Sequence, residues 1–256
     1  MIASISARVS ADWQQFDILI LAVPDQYHAD IIPVALESFK KLAAQHQFGM
    51  SFETDAKALE GDLSKYDALV FLNTGPAMLT EPQRENFKNY IQSGKGFASL
   101  HWSMGYEKDW PWYARLEGRT FLIHPIMQSA VVNVADRDFP ATMAMPERFV
   151  WSDEWYVTAS VPGVETHTLL NLDESTYDPT WIWPGNECAG MGKDHPVAWY
   201  HTFEGTRVFV TTLGHVPEMY NDRLLLDHIY GGIYWAATGR GIPAAHAKSD
   251  ASAPAE

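Results

Sequence analysis

Four short apolar runs with two amphipathic helices set among them limit this chain to very few folds. Phe16–Val23 (FDILILAV) is apolar but for Asp17 near its start, as a parallel strand buried on both faces is. Phe48–Thr54, Asp67–Asn73 and Phe97–Leu100 read as the next strands. Between the first two, a helix is expected to about Gln45, with Ile32, Leu36, Phe39 and Leu42 at helical spacing and Glu37, Lys40 and Lys41 opposite. Leu59–Leu63 is a short link. Thr80-Glu-Pro-Gln83 reads as a helix start, with Thr as N-cap, Pro in the first turn and Gln three residues on. That helix carries Phe87, Tyr90 and Ile91 and stops at Gly94. Strands alternating with helices predict an α/β fold with a doubly wound, mostly parallel sheet.

The pattern changes after residue 105. Trp110–Gly118 predicts a short helix. Gln128–Ala135, Phe149–Tyr156, Glu165–Leu172, Val197–Phe203 and Arg207–Leu213 follow as strands with no long helix between them, so added antiparallel strands are expected. Leu224–Ala237 is the last helix. Without a repeat or a linker, residues 16–240 are expected to form one domain. Residues 1–15 and the Ala-, Pro- and Ser-rich 241–256 are expected to be flexible tails.

A parallel sheet collects its strand ends at one edge, and ligands bind at that edge. Gly94-Lys-Gly-Phe-Ala-Ser-Leu-His101 stops abruptly at His101, the first candidate for function. His28 and Asp25 follow the first strand, Asn73 and Gly75 the third, and His215 ends the run Val208–Leu213. His124 sits before Pro125, where capping a loop is an equal alternative. His46, His167, His201, His228 and His246 lie on helix faces, strand surfaces or the tail and read as structural. Asp153 and Glu154 lie between aromatic residues, where partial desolvation raises a carboxyl pKa and suits a general base. His28, His101, His124 and His215 beside such a carboxylate are a candidate set for a divalent metal, Zn²⁺ or Mn²⁺. No nucleotide cofactor is expected.

Composition removes several classes of partner. The net charge of -14 argues against nucleic acid and anionic membranes, which require Lys/Arg patches. No run of about 18 apolar residues is present, so no transmembrane helix is expected. Met1–Gln15 lacks the basic start and apolar stretch of a signal peptide. With Cys188 as the only cysteine, no intrachain disulfide can form and a cytoplasmic setting is expected. Ten Trp and eleven Tyr suit a sugar site, although aromatic residues also fill cores.

Taken in order, these motifs resemble the trehalose-utilisation (ThuA-like) family from about Phe16 to Ala237. The resemblance rests on Tyr27-His28, Asp67-Ala-Leu-Val-Phe-Leu-Asn-Thr-Gly75 and the run to His101. It continues through Trp112-Tyr113-x-x-Leu-x-Gly118, Phe121-x-x-His-Pro125, Asp153-Glu154-x-Tyr156, Asp194-His-Pro-Val-Ala-Trp199 and Leu213-Gly-His215. Where the family shows Gly-Ile-His-Ala-Ala, this chain has Ser-Leu-His-Trp-Ser, and the bulky Trp102 reshapes the pocket. The resemblance implies a flavodoxin-like, class I glutamine amidotransferase-like fold, with His101 at the elbow where a cysteine nucleophile would stand, so glutaminase chemistry is not expected.

The resemblance also implies sugar catabolism on a small-molecule sugar, a 3-keto-glycoside of the trehalose type supplied by a partner sugar dehydrogenase. The expected chemistry is metal- or His-assisted proton abstraction followed by elimination or hydrolysis, with catalytic His101, His215, Glu154 and Asp153. Asn73, Gly75, Trp102, Trp112, Tyr113, Asp194 and His195 are the candidate substrate-binding residues. Two other readings stay open: a non-catalytic sugar- or partner-binding module on a disabled amidotransferase fold, and an amidase-like hydrolase using a metal-bound water. A homo-oligomer also stays open.

Overall fold

The computed structural model describes residues 5–7, 13–105 and 110–241. Along the chain run β1 (Ile5–Ala7), β2 (Asp17–Leu21), α1 (Ile31–His46), β3 (Gly49–Glu53), β4 (Ala68–Leu72), α2 (Glu81–Gln92) and β5 (Gly96–Leu100). Then follow α3 (Pro111–Glu117), β6 (Arg119–Ile123), β7 (Gln128–Val134), β8 (Arg148–Asp153), β9 (Val157–Ser160), β10 (His167–Asp173), β11 (Pro196–Phe203), β12 (Thr206–Thr211) and α4 (Arg223–Thr238). A ten-stranded sheet has the order β1-β3-β2-β4-β5-β12-β11-β10-β7-β8. Its parallel part is β3-β2-β4-β5-β12, and antiparallel strands extend it on both sides. β6 and β9 pair as a separate two-stranded ribbon.

The parallel strands are apolar on both faces because both faces are covered. Ile18, Ile20, Val70 and Ala98 face a core shared with α1 and α4. Leu19, Leu21, Leu69, Phe71 and Phe97 face a second core with Phe87 and Tyr90 of α2 and Tyr113 and Leu116 of α3. At the start of α2, the Thr80 backbone N–H donates to Gln83 Oε1 at 3.0 Å, as the capping motif predicts. Helix α4 lies so close to the sheet that a Cβ on Gly96 would meet the Ala236 carbonyl at 2.2 Å, and one on Gly232 the Phe209 ring at 2.3 Å.

Two expectations are corrected, and one strand was not foreseen. Part of the expected N-terminal tail, Ile5–Ala7, is a strand on the edge of β3. β6 was hidden because Arg119–Ile123 is neither a continuous apolar run nor a clean alternation. The expected strand Phe149–Tyr156 breaks at Asp153, and the chain turns through Glu154, Trp155 and Tyr156 before β9. Apart from Gly241, the expected tail 241–256, with His246, lies outside the described residues. No helix among the described residues is long and apolar enough to cross a membrane.

Candidate functional site

Strand order places the site. β2 and β4 are neighbours, and their chains leave the sheet toward β3 and β5 on opposite sides, which opens a crevice at their carboxyl ends. His28 follows β2 there, and Asn73 follows β4. His101 follows β5 and His215 follows β12.

His101 sits at φ 54°, a left-handed backbone that costs a β-carbon residue energy. The surroundings fix it. Its Nδ1–H donates to the Thr212 carbonyl at 2.7 Å, and Asn73 Oδ1 accepts from the Trp102 N–H at 3.1 Å just after the turn. Asn73 is itself left-handed, at φ 51°, a conformation that Asn tolerates well. A sharp strand-to-turn elbow of this kind presents one side chain at the sheet edge.

Four imidazoles and one carboxyl group meet above the elbow. His101 Nε2 lies 3.3 Å from His215 Nδ1. Glu154 Oε2 is 3.3 Å from His215 Nδ1, 3.6 Å from His124 Nε2 and 3.7 Å from His101 Nε2. The His28 ring centroid is 5.2 Å from that of His101 and 5.3 Å from that of His215. Tyr156 places its hydroxyl 2.9 Å from His101 Nε2. Backbone and carboxylate acceptors fix the tautomers. His28 Nδ1–H donates to Asp25 Oδ2 at 2.8 Å, and His124 Nδ1–H to the Pro125 carbonyl at 2.8 Å.

Burial sets the charges. It lowers the His101 pKa well below the usual value, aided by the neighbouring His28. Burial also pushes His215 down to about 4, with His28 and His124 adding to it, and lowers His124. It pushes Glu154 up to about 8, aided by the Asp153 carboxyl. These four groups are therefore mostly uncharged at neutral pH, so imidazole lone pairs and a carboxylic acid face one another.

His28, His124, His215 and Glu154 line a cleft of about 470 Å³ together with Tyr27, Trp102, Phe121, Tyr156 and Trp183, while His101 is fully buried and does not line it. That volume lies within the range of small-molecule sites, ~300–1,000 Å³. The aromatic rings form its walls. Trp102 stands edge-on to Phe121 at 5.3 Å, and Trp183 edge-on to His124 at 5.1 Å.

Not every predicted residue reaches this cleft. Asp153 is fully buried, and its carboxylate accepts from Gly214, His215, Glu154 and Trp151 N–H groups. It is thereby occupied in holding the turn that carries His215, because it ends β8 facing inward. Asn73 is buried and Gly75 backs against Trp102, so both shape the elbow from behind. Trp112 packs on Phe87, Trp110 and Phe203 and donates to Glu204, away from the cleft lining. Tyr113 is buried beneath the elbow with its hydroxyl on the Ser103 carbonyl. Asp194 is exposed. His195 is buried, with Nδ1 2.7 Å from Glu174 and Nε2 on the Tyr156 carbonyl. Cys188 is buried and does not line the cleft.

Sequence reasoning missed Tyr27, Phe121, Tyr156 and Trp183 as lining residues, and Asp25 as the partner of His28. The aromatic residues at motif ends were the available signal for Phe121 and Tyr156. Trp183 lies in a loop rich in Pro, Gly and Trp that alternation patterns do not read.

A family model described as trehalose utilisation (ThuA) matches residues 17–236. A ThuA-like protein from Bacteroides uniformis is similar in structure, with TM-score 0.74 and 24% identity over 89% of this chain and 94% of that one. A ThuA-like protein from Parabacteroides merdae gives TM-score 0.71 and 18% identity, over 90% of this chain and 92% of that one. α-L-Fucosidase isoenzyme 2 from Paenibacillus thiaminolyticus gives TM-score 0.56 and 8% identity, over 94% of this chain but 34% of the fucosidase. At these identities the likenesses show a shared fold. No curated protein matches the chain in sequence.

Proposed function

The chain belongs to the ThuA family of trehalose-utilisation proteins, and on that premise we propose that it is a sugar-metabolism enzyme that cleaves a 3-keto-glycoside by proton abstraction and elimination. The observation that carries the reading is Glu154: one desolvated carboxyl among four imidazoles, on the floor of an aromatic-walled cleft. The flavodoxin-like, amidotransferase-like classification belongs to the same reading. It is supported by the strand order β3-β2-β4-β5-β12 and by the elbow at His101. With an imidazole at that elbow and Cys188 outside the cleft, a thiolate glutaminase is not favoured.

The chemistry follows from the groups present. Aromatic faces of Trp102, Phe121 and Trp183 suit the C–H faces of a pyranose. A ketone at C3 acidifies the C2 proton. Glu154 takes that proton as a carboxylate, and negative charge builds on the C3 oxygen. The Tyr156 hydroxyl, a donor in the cleft lining, stabilises that charge. The electrons then form the C1=C2 double bond as the C1–O bond breaks. The departing oxygen takes the proton from the Glu154 carboxylic acid. Addition of water across C1=C2 makes the overall result a hydrolysis. A carboxyl pushed up to about 8 keeps an ionised fraction at neutral pH that takes the proton and holds it firmly enough to hand it on.

The test is to mix the purified protein with a 3-keto-glucoside and with the unoxidised glucoside and to follow release of the C1 alcohol. Release from the keto sugar alone is expected. If the keto sugar binds and survives unchanged, the protein is a sugar-binding module and the reading is wrong.

A further inference from the structure

We propose that His28 Nε2, His101 Nε2 and His215 Nδ1, with Glu154 Oε2 beside them, form a binding site for one divalent transition-metal ion of the Zn²⁺ class. The three imidazoles carry this inference whether or not the sugar reading holds; Glu154, the base of that reading, stands beside them as a fourth donor that a substrate displaces.

One ring nitrogen of each of these three histidines lies within 4.8 Å of the other two. His101 directly follows β5, and His28 and His215 lie on the loops that follow β2 and β12, so three strands of one sheet deliver them to the same edge. Two of the rings are oriented by acceptors on their far side. Asp25 holds the Nδ1–H of His28, and Asp25 is in turn fixed by backbone N–H groups of Tyr27 and His28, each at 2.7 Å. The Thr212 carbonyl holds the Nδ1–H of His101. Both Nε2 atoms therefore point lone pairs into the cluster. Carboxylate or carbonyl support behind a ligating histidine is the usual outer shell of a metal site.

Hydrogen bonding alone does not complete this cluster. His28 Nε2 is buried and has no hydrogen-bond partner among the described residues. His101 Nε2 has one lone pair, yet two groups stand within reach to donate to it, Tyr156 Oη at 2.9 Å and His215 Nδ1 at 3.3 Å. A proton can bridge two of these atoms, whereas a cation at the centre engages all of them. The spacings suit that cation. Ligands about 2.0–2.1 Å from a tetrahedral ion stand roughly 3.4 Å apart. His101 to His215 and His215 to Glu154 are both 3.3 Å, and His101 to Glu154 is 3.7 Å. His124, an expected ligand, stands outside this set, with its Nε2 3.6 Å from Glu154. Three imidazoles with one carboxylate favour Zn²⁺, Co²⁺, Fe²⁺ or Mn²⁺ over Mg²⁺ and Ca²⁺, which prefer oxygen.

The test uses the whole chain, stripped with a chelator and titrated with Zn²⁺ and with Mg²⁺ by calorimetry. One equivalent of Zn²⁺ is expected to bind, at least 100-fold tighter than Mg²⁺. His28→Ala and His215→Ala, both on loops outside the strands, are expected to lose at least 100-fold in Zn²⁺ affinity. Asp25→Asn should lose about 10-fold with the ligands intact. Co²⁺ bound to the unmutated protein should show visible bands of four- or five-coordination and needs no variant to fold. No stoichiometric Zn²⁺ binding, or binding unchanged in both His variants, overturns the site. Metal binding without keto-sugar cleavage would reject the sugar reading and leave this one standing.

Discussion

The Asp153 carboxylate accepts the backbone N–H groups of Gly214 at 2.8 Å and His215 at 3.2 Å, so the end of β8 holds the turn after β12. The antiparallel extension thereby reaches back to the parallel half and fixes one of the site histidines. Asp153→Asn keeps the shape but turns an acceptor into an amide that must present N–H to N–H. It should cost about 1–3 kcal/mol of stability, the usual penalty for an unsatisfied buried group, and should also lower turnover by displacing His215. Urea unfolding alongside the keto-sugar assay checks both. A variant that loses neither would show that the turn holds itself.

The neighbouring carboxyl should behave in the opposite way. Glu154 reaches the cleft and takes no backbone N–H in the way Asp153 does. Glu154→Gln removes the base and should reduce kcat by about 10²–10⁴-fold, the usual range for general acid–base groups. KM and urea midpoint should hardly change. Steady-state kinetics on the keto sugar separates this outcome from that of Asp153→Asn, in which stability falls as well.

Trp183 is 46% exposed, and its ring stands edge-on to His124 at the mouth of the cleft. Removing it should weaken substrate binding without unfolding the protein. Trp183→Ala should raise KM several-fold and leave stability within about 0.5 kcal/mol, as surface changes usually do. Loss of kcat at unchanged KM would mean that the ring acts on the chemistry rather than on binding.

The sequence showed the parallel half and the histidines for the same reason: both follow from period and position. Phe16–Val23 and Asp67–Asn73 can only be buried strands, and a residue ending such a strand must lie at the sheet edge. The choice between Asp153 and Glu154 could not be read this way, because it depends on where β8 stops. Asp194 and His195 were drawn into the candidate site by their motif. His195 in fact supports the Tyr156 carbonyl from behind, a relation set by the pairing of distant strands. Trp112 and Tyr113 misled for a related reason: an aromatic pair on a short helix looks the same whether it faces a ligand or the next layer of core.

Glu117 shows how the core responds to pH. Its carboxyl is fully buried at the end of α3, and burial pushes it up to about 7 from an ordinary 4.5, with the Ser99 and Tyr113 side chains pulling the other way. The folded chain therefore holds this proton more tightly than the unfolded chain between pH 4.5 and 7. Stability from this group is complete below pH 4.5 and is lost as pH rises through 7. A displacement of that size corresponds to about 3 kcal/mol. Glu117→Gln is neutral at every pH, so the difference between variant and parent isolates this group from the site carboxyls. Melting temperatures should diverge in favour of the variant between pH 4.5 and about 7, with a constant offset below that window and another above it. Parallel melting curves across the whole range would mean that the Glu117 carboxyl is already charged in the fold, stabilised by a partner in the core.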